Sequence, residues 1–381
     1  MARANWLRGG EMSLGDKIGQ VTWGLVALVV LTACVGFAML YSAANGSYEP
    51  WAWRQMVRFG VGFVLMLAIA LVDVRVWLRY AYAVYGVGLA LLVLVEAMGF
   101  TGMGAQRWID FQVFQLQPSE VMKIALVMAL ARYFHGLSVE ETRRTTALVV
   151  PLLLVLTPAA LVLRQPDLGT ALLLMVTGGT LFFLAGVRLW VFATAAVAGL
   201  AAIPVGWQFL HVYQKERVLT FLSPERDPLG AGYHILQSKI ALGAGGLAGK
   251  GFLAGSQSHL NFLPEKQTDF IFTMLAEEFG LIGALGLIAL YALIVVYGIA
   301  ISLRSASQFG RLLGMGLTTT FFVYVFINIA MVTGLIPVVG VPLPLVSYGG
   351  TAMMTLLVSF GLLIGVYIHR DVVIPRRAGA H

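Results

Sequence analysis

The sequence predicts an all-α polytopic membrane protein with about ten transmembrane helices and one large extracytoplasmic loop between helices 7 and 8. The 381 residues are 59% hydrophobic and only 11% charged, and the mean hydropathy is +0.86. The apolar residues form continuous runs and do not alternate with polar ones, which argues against a closed β-barrel. We interpret residues 1–381 as a single transmembrane domain, because no linker separates two parts of the chain.

The predicted helices follow from apolar runs long enough, with their flanking residues, to cross a bilayer. The first run is longer than the core of a signal peptide, so we interpret it as a true span. The runs are Val21–Ala44, Phe59–Val72, Ala81–Met98, Val121–Phe134, Ala147–Leu163, Leu168–Val187, Leu189–Leu210, Phe270–Leu303, Leu312–Leu335 and Ala352–Ile368.

The distribution of basic residues predicts the orientation of these helices. One set of helix ends carries most of the arginine and lysine, whereas the short connections at the other ends hold only Arg54, Arg58, Arg107 and Arg164. By the positive-inside rule, the N-terminus (1–20) and the C-terminus (370–381) are cytoplasmic. The net charge of +7 is therefore attributed to topology and not to nucleic-acid binding. Cys34 is the only cysteine, so the chain can form no internal disulfide.

Residues 211–268 form the one long hydrophilic stretch, which the alternation of helices places outside the membrane. Apolar residues at helical spacing predict a short surface helix over Tyr233–Leu242. The glycine run that follows, 243–251, resembles a phosphate-binding P-loop. It has Ala244 at the leading glycine position and Gly251 in place of the final Ser or Thr. A close-packing, flexible loop is the better interpretation.

The next apolar stretch, from Asp269 to Leu303, is longer than a bilayer requires. As a helix it would extend ~50 Å, against ~30 Å of hydrocarbon. We therefore expect its first turns, which contain Glu277, Glu278 and Gly280, to stand above the membrane or to break there.

Asp269 is the leading candidate for a catalytic residue. Thr268 can cap the following helix, which would put Asp269 in its first turn, where the positive end of the helix dipole favours a carboxylate. Acidic residues open many helices for this structural reason alone. The functional alternative is a general base at the membrane–water boundary. Lys266, in the same segment, is a candidate for substrate binding.

A second group of polar residues lies near the predicted outer helix ends. Ser119 is positioned to cap a helix that contains Glu120 and Lys123, which are spaced to form a structural pair. The alternative is that Lys123 holds an anionic lipid headgroup. Trp108 is typical of an interfacial anchor. The cations of this region suit a diphosphate. The substrate-binding candidates here are Arg54, Arg58, Arg107, Trp108, Glu120, Lys123, Arg164 and Asp167.

A third group follows Asn328, where proline and glycine are too frequent for a helix. Irregular backbone at membrane depth is tolerated only against protein or a wet cavity. A re-entrant wall is therefore predicted, with Ser347 and Tyr348 as candidate donors to substrate, and a tight structural connection is the alternative. No zinc-binding spacing occurs. The adjacent Glu277 and Glu278 would point in different directions, so no metal ligand is predicted.

Several segments together resemble the RodA branch of the SEDS (shape, elongation, division, sporulation) family. The resemblance covers essentially the whole chain, with departures at Gln267, Ala330 and Thr351, where the family commonly has histidine, glycine and serine. Gln267 argues against an obligatory His–Asp relay. The matching segments are Gln117–Glu120, Arg164–Thr170, Ser256–Leu260, Phe262–Lys266, Thr268–Phe272, Leu275–Glu278, Pro342–Pro344 and Ser347–Gly350.

The resemblance implies a peptidoglycan glycosyltransferase for cell elongation and shape. Such enzymes polymerise lipid II into undecaprenyl-linked glycan at the outer face of the bacterial cytoplasmic membrane, with inversion and release of undecaprenyl diphosphate. It also implies that Asp269 is the catalytic residue, and that the partner is a class B penicillin-binding protein. A cofactor requirement, for Mg²⁺ or Mn²⁺, stays open. The alternatives are a lipid II flippase and a scaffolding subunit of the cell-wall complex.

Overall fold

The computed structural model describes residues 12–98, 100–102, 105–110, 115–209, 215–216, 219–221, 231–260 and 265–375. The described residues leave out most of the 211–268 loop and the arginines at the two termini, whose cytoplasmic position is predicted: Arg3, Arg8, Arg376 and Arg377. A 3₁₀ turn at Thr145–Leu148 precedes α7. The described helices are α1 Leu14–Gly19, α2 Trp23–Ala43, α3 Ala52–Leu71, α4 Val74–Met98, α5 Pro118–His135, α6 Val139–Thr142, α7 Val149–Arg164, α8 Leu168–Leu184, α9 Leu189–Phe209, α10 Ala231–Ala244, α11 Ser256–His259, α12 Ile271–Arg304, α13 Gln308–Val332 and α14 Gly350–Ile368.

The predicted all-α membrane architecture is confirmed. Among the residues that the structure describes, seven helical stretches are long and apolar enough to cross a bilayer, and α8 and α9 are shorter apolar helices. The remaining predicted span is α5, whose 18 residues include the charged Glu120, Lys123 and Arg132. Helices α2, α3, α4, α5, α7, α8, α9, α12, α13 and α14 therefore correspond to the ten predicted runs. The predicted surface helix is α10.

The centre of the bundle is built from α5, α13 and α14, which bury most of their residues. Helix α3 packs against α14, α4 against α5, and both α8 and α12 against α13. Helix α9 is different, because none of its described residues is buried. Its first turn contacts the bundle through Phe192, whose ring lies 6.1 Å from that of Phe183 in α8. An apolar helix exposed on all sides is suited to lipid.

A small antiparallel sheet connects α4 to α5. Its strands are β1 Phe100–Gly102, β2 Ala105–Asp110 and β3 Gln115–Leu116, in the order β1-β2-β3. Trp108 pairs with Phe100, and Ile109 pairs with Leu116. Hydropathy and periodicity did not predict these strands, which place Arg107 and Trp108 on a fixed backbone.

Helix α12 breaks at Gly280, as its excess length predicted. Gly280 has φ 66° and ψ −163°, and the glycine-rich turn after α10 replaces the interrupted helical hydrogen bonds. The Lys250 and Gly251 amides donate to the carbonyls of Glu277 and Glu278 at 3.0 and 2.9 Å, and the Leu281 amide donates to the Gly246 carbonyl at 2.9 Å. The glycine run is thus a close-packed brace for the first turns of α12.

The contact between the glycine run and α12 requires a glycine at position 249. Gly249 has φ +80°, and a Cβ added there would overlap the Glu278 carbonyl. We expect Gly249→Ala to lower the free energy of unfolding by about 2 kcal/mol or more, because an L side chain is strained at this φ and the backbone opposite cannot yield. Thermal melting in detergent measures the effect. Gly243→Ala is the matched control, since a Cβ there meets open space. Equal melting temperatures for the two variants would contradict the brace.

Candidate active site

The backbone of Asp269 is anchored just before α12. The helix begins at Ile271 with Phe270 as N-cap, and no side chain caps it. The prediction that Thr268 caps the helix and puts Asp269 in its first turn is therefore wrong. The Thr268 hydroxyl donates instead to the Glu265 carbonyl and carboxylate, each at 3.2 Å, because residues 265–270 form a turn of their own.

Asn328 of α13 fixes the position of Asp269. Its Nδ2 donates to the Asp269 carbonyl at 3.0 Å and to the Val341 carbonyl at 2.7 Å. Asn328 is fully buried. One side chain thus ties the segment before α12 to the irregular chain after α13.

We expect Asn328→Leu to lower the free energy of unfolding by about 1–3 kcal/mol, because the buried Val341 carbonyl and the partly buried Asp269 carbonyl lose their donor. Melting in detergent measures this. Thr333→Val is the control, because the Thr333 hydroxyl bonds only to carbonyls of its own helix. An unchanged melting temperature for Asn328→Leu would show that the anchor carries no stability.

The irregular chain between α13 and α14, residues 335–349, is here called the Pro/Gly segment. It packs against protein and forms a wall beside Asp269. The Ser347 hydroxyl donates to the Thr268 carbonyl at 2.5 Å and accepts from the Leu343 amide at 2.7 Å. The Tyr348 amide donates to the Gln267 carbonyl at 2.8 Å. A Cβ at Gly340 would lie 3.5 Å from Asp269 Oδ2, so the carboxylate lies close to the Gly340 backbone.

The first turns of α3 dock on the far end of the Pro/Gly segment. Gln55 is fully buried and donates to the Ser347 carbonyl at 3.1 Å. The guanidinium carbon of Arg58 lies 4.9 Å from the centre of the Tyr348 ring, within cation–π range. Arg54, one turn earlier, is exposed. The structure thus brings Arg58, Ser347 and Tyr348 next to the turn that contains Asp269.

Arg107 and Asp167 approach the Pro/Gly segment from another side. Arg107 Nε donates to the Gln165 carbonyl at 3.2 Å and lies 4.0 Å from Asp167 Oδ2; its Nη2 donates to the Pro166 carbonyl. Asp167 caps α8 by accepting from the Thr170 amide at 3.1 Å. A Cβ at Gly169 would lie 3.2 Å from the Val339 carbonyl, so the start of α8 contacts the chain beside Gly340.

Glu120 and Lys123 form the predicted pair inside the bundle. Their charged atoms are 2.7 Å apart, and the residues are 5% and 3% exposed. Tyr324 of α13 donates to the Glu120 carboxylate, and Lys123 Nζ lies 4.3 Å from the centre of its ring. The voids along this pair and the Pro/Gly segment measure about 10 Å³ each, room for about one water. A diphosphate does not fit there in this conformation.

The cap predicted for this helix is also wrong. Helix α5 begins with Pro118 at its first turn and Gln117 as N-cap, so Ser119 lies inside the helix and does not cap it. Proline is suited to the first helical position because its missing N–H is not needed there.

Three remaining candidates differ in how closely they join this region. Arg164 has a side chain 73% exposed and lies 3.9 Å from Glu96, and no described contact joins it to the turn of Asp269. Trp108 is partly buried in β2. Lys266 is buried in the turn of Asp269, and this burial lowers the pKa of its ammonium.

Two further residues emerge from the structure. Tyr324 was not singled out by the sequence, and the role of Asn328 as an anchor was not foreseen. They lie four residues apart on α13, so they share one face of the helix. That spacing of polar groups in an apolar helix was the available signal.

Glu277 and Glu278 have separate partners, as expected for neighbours on a helix. Glu277 accepts from Lys250 at 2.8 Å, and Glu278 accepts from Ser42 at 2.5 Å and lies 3.3 Å from His259 Nε2. Within the described ranges, no group of three or more His, Cys, Asp or Glu side chains could hold a metal ion.

Comparisons with known proteins identify the family of this chain. The model of the cell cycle protein family FtsW/RodA/SpoVE matches residues 21–371. The peptidoglycan glycosyltransferase MrdB of Escherichia coli K12 is 45% identical over 344 residues, which cover 90% of this chain and 92% of MrdB.

Solved structures show the same fold. A chain of a peptidoglycan synthase complex, described as structurally coordinating polymerization and crosslinking, is 33% identical with a TM-score of 0.80, covering 92% of this chain and 98% of its own. The Rod shape determining protein RodA of Thermus thermophilus is 28% identical with a TM-score of 0.70, covering 96% and 99%. The chain belongs to the FtsW/RodA/SpoVE family, which is the SEDS family that its motifs predicted.

Proposed function

We propose that this protein is a peptidoglycan glycosyltransferase that polymerises lipid II at the outer face of the cytoplasmic membrane, for cell elongation and shape. The observation that carries the proposal is the position of Asp269. Its carboxylate lies at the junction of the α12 start, the Pro/Gly segment and the α8 start, with cations of α3 and β2 on two sides of the wall.

In the proposed reaction, Asp269 accepts the proton of the acceptor sugar hydroxyl. The hydroxyl oxygen forms a bond to the anomeric carbon of the lipid-linked donor as the bond from that carbon to the diphosphate breaks. A single displacement inverts this carbon and releases undecaprenyl diphosphate. General-base catalysis of this kind contributes ~10²–10⁴ in rate.

Cations stabilise the departing diphosphate in this proposal. In the first turns of α3, Arg54 is exposed and Arg58 is half-buried, and Arg107 is held at the α8 side. Guanidinium groups suit phosphate oxygens because they present paired donors in one plane. Lys123 is engaged with Glu120, so its contribution to a headgroup would require the pair to open.

The orientation and the partner are part of the proposal. The distribution of basic residues supports a cytoplasmic position for both termini, and in that orientation Asp269 is on the outer side. The similarity to a chain of a complex that coordinates polymerization and crosslinking supports a class B penicillin-binding protein as partner.

Reconstitution separates the proposed polymerase from a flippase or a scaffold. Purified protein in liposomes with lipid II and its transpeptidase partner is expected to yield glycan strands. The strands are measured on gels after the peptide cross-links that the partner forms between them have been cut. Parallel reactions with Mg²⁺, Mn²⁺ or a chelator test whether polymerisation requires a divalent cation. Transbilayer movement of labelled lipid II without polymer would favour the flippase, and inactivity in both assays with partner binding retained would favour the scaffold.

A further inference from the structure

An open cavity of about 480 Å³ lies between α2 and α12, at the end of the bundle opposite Asp269. Its walls come from the first turn of α2, with Thr22 and Gly24, and from the last turns of α12, with Val296, Tyr297 and Arg304. This volume is in the range of small-molecule sites. The cavity takes no part in the chemistry proposed above.

The cavity contains polar donors that the protein itself does not use. Within the described part of the chain, Arg304 is exposed and has no hydrogen-bond or ion-pair partner in the protein. The Thr22 hydroxyl is shielded from solvent and has no hydrogen-bond partner, although Thr22 is the N-cap of α2; rotation of its side chain toward the cavity would let it donate to a ligand. The Tyr297 hydroxyl fits against Gly24, where a Cβ would lie 2.5 Å away.

The one charged side chain among the described lining residues is basic, Arg304. None of its described lining residues is acidic. The positive end of the α2 dipole points to the same place and favours an anion, whereas the negative end of the α12 dipole is offset by Arg304. A further cation, Arg370, lies 4.3 Å from the ring of Tyr367, which also lines the cavity, and its Nε is 3.9 Å from Asp371 Oδ2. A guanidinium with adjacent hydroxyl donors is suited to a phosphate group.

The remaining walls are apolar and adjoin the outer surface of the bundle. Val296 and Ala300 are exposed, and so is the neighbouring Trp23, which is typical of a membrane interface. A free phosphate would leave these walls without a partner, whereas an acyl chain would cover them.

We propose that this cavity binds one anionic glycerophospholipid, with its phosphate on Arg304 and Thr22 and an acyl chain along Val296 and Ala300. Under the proposed orientation, the lipid belongs to the cytoplasmic leaflet. The alternative explanation of Arg304 is that it only stabilises the C-terminal end of α12, where the helix dipole favours a cation. That explanation requires no bound lipid, so the two are separable.

Native mass spectrometry of the protein in nanodiscs of phosphatidylglycerol and phosphatidylethanolamine tests the site. We expect the wild type to retain one phosphatidylglycerol in preference to phosphatidylethanolamine. Arg304→Gln should weaken this binding about tenfold, the effect of losing one charge-assisted contact. Thr22→Val should weaken it less. The matched control is Arg311→Gln, an exposed arginine at the same end of the bundle that does not line the cavity.

A second variant changes shape without changing charge. Ala300→Trp fills the cavity and should expel the lipid, while the melting temperature in lipid-free detergent stays that of the wild type. Equal retention of both lipids by the wild type would overturn the proposal. So would unchanged binding in Arg304→Gln, or an equal loss in Arg311→Gln, which would indicate a nonspecific surface charge effect. Polymerisation is a separate readout, so failure here leaves the proposed function standing.

Discussion

Asp269→Asn is expected to lower the rate of lipid II polymerisation by ~10²–10⁴, the range for loss of a general base. An amide of nearly the same shape cannot accept the proton of the acceptor hydroxyl. The substitution leaves the backbone carbonyl of Asp269 available to Asn328, which holds it at 3.0 Å. Folding and partner binding should therefore be retained. Glycan synthesis by the reconstituted variant with its partner is the measurement.

Glu265→Gln is the matched control for this substitution. Glu265 is an exposed carboxylate in the same turn, and it accepts from Gln267 and Thr268, which an amide oxygen can also do. Its polymerisation rate should stay near that of the wild type. Near-normal synthesis by Asp269→Asn would remove Asp269 from the mechanism. An equal loss in both variants would show that the charge of the turn matters and not the proton acceptor.

Glu120→Ala is expected to produce the second large effect, a loss of about 3–5 kcal/mol in the free energy of unfolding. The substitution leaves the Lys123 ammonium buried without its carboxylate and leaves the Tyr324 hydroxyl without its acceptor. Steric trapping or melting in detergent measures this. A melting temperature equal to that of the wild type would show that the interior around Lys123 is wetter than the structure indicates.

The double variant Glu120→Met, Lys123→Met distinguishes the two roles proposed for the pair. Both charges are removed together, so stability should recover much of the loss. If the pair is only structural, polymerisation recovers with stability. If Lys123 holds a substrate headgroup, the folded double variant stays inactive.

The sequence predicted the helices well where apolar residues are continuous and poorly where polar residues have partners. The runs placed the starts of two spans at Phe59 and Val121, but α3 begins at Ala52 and α5 at Pro118. The missing turns contain Gln55 and Glu120, whose polar atoms bond to the Ser347 carbonyl and to Lys123. Hydropathy does not assign such polar residues to a membrane helix. They are accommodated there only by a partner distant in the chain, as for Gln55, or by pairing inside the folded bundle, as for Glu120.

The sequence indicated candidate residues for the site but not how they are arranged in space. Asp269 was selected from its place after a hydrophilic loop, yet its anchor Asn328 lies 59 residues further along. The Thr268 cap failed because a local turn competed for the same hydroxyl. The strands of the sheet that contains Arg107 are too short for an alternating pattern to predict them. The break at Gly280 was predictable, since excess length beside a glycine is a local signal.

The pH dependence of polymerisation tests the central claim most directly. Initial rates at saturating lipid II are measured across pH for the wild type and for the residual activity of Asp269→Asn, both with partner. If Asp269 is the proton acceptor, the wild-type rate falls as the pH is lowered, because the protonated carboxyl cannot act as a base, and the variant lacks this limb. The same acidic limb in both proteins would contradict the account.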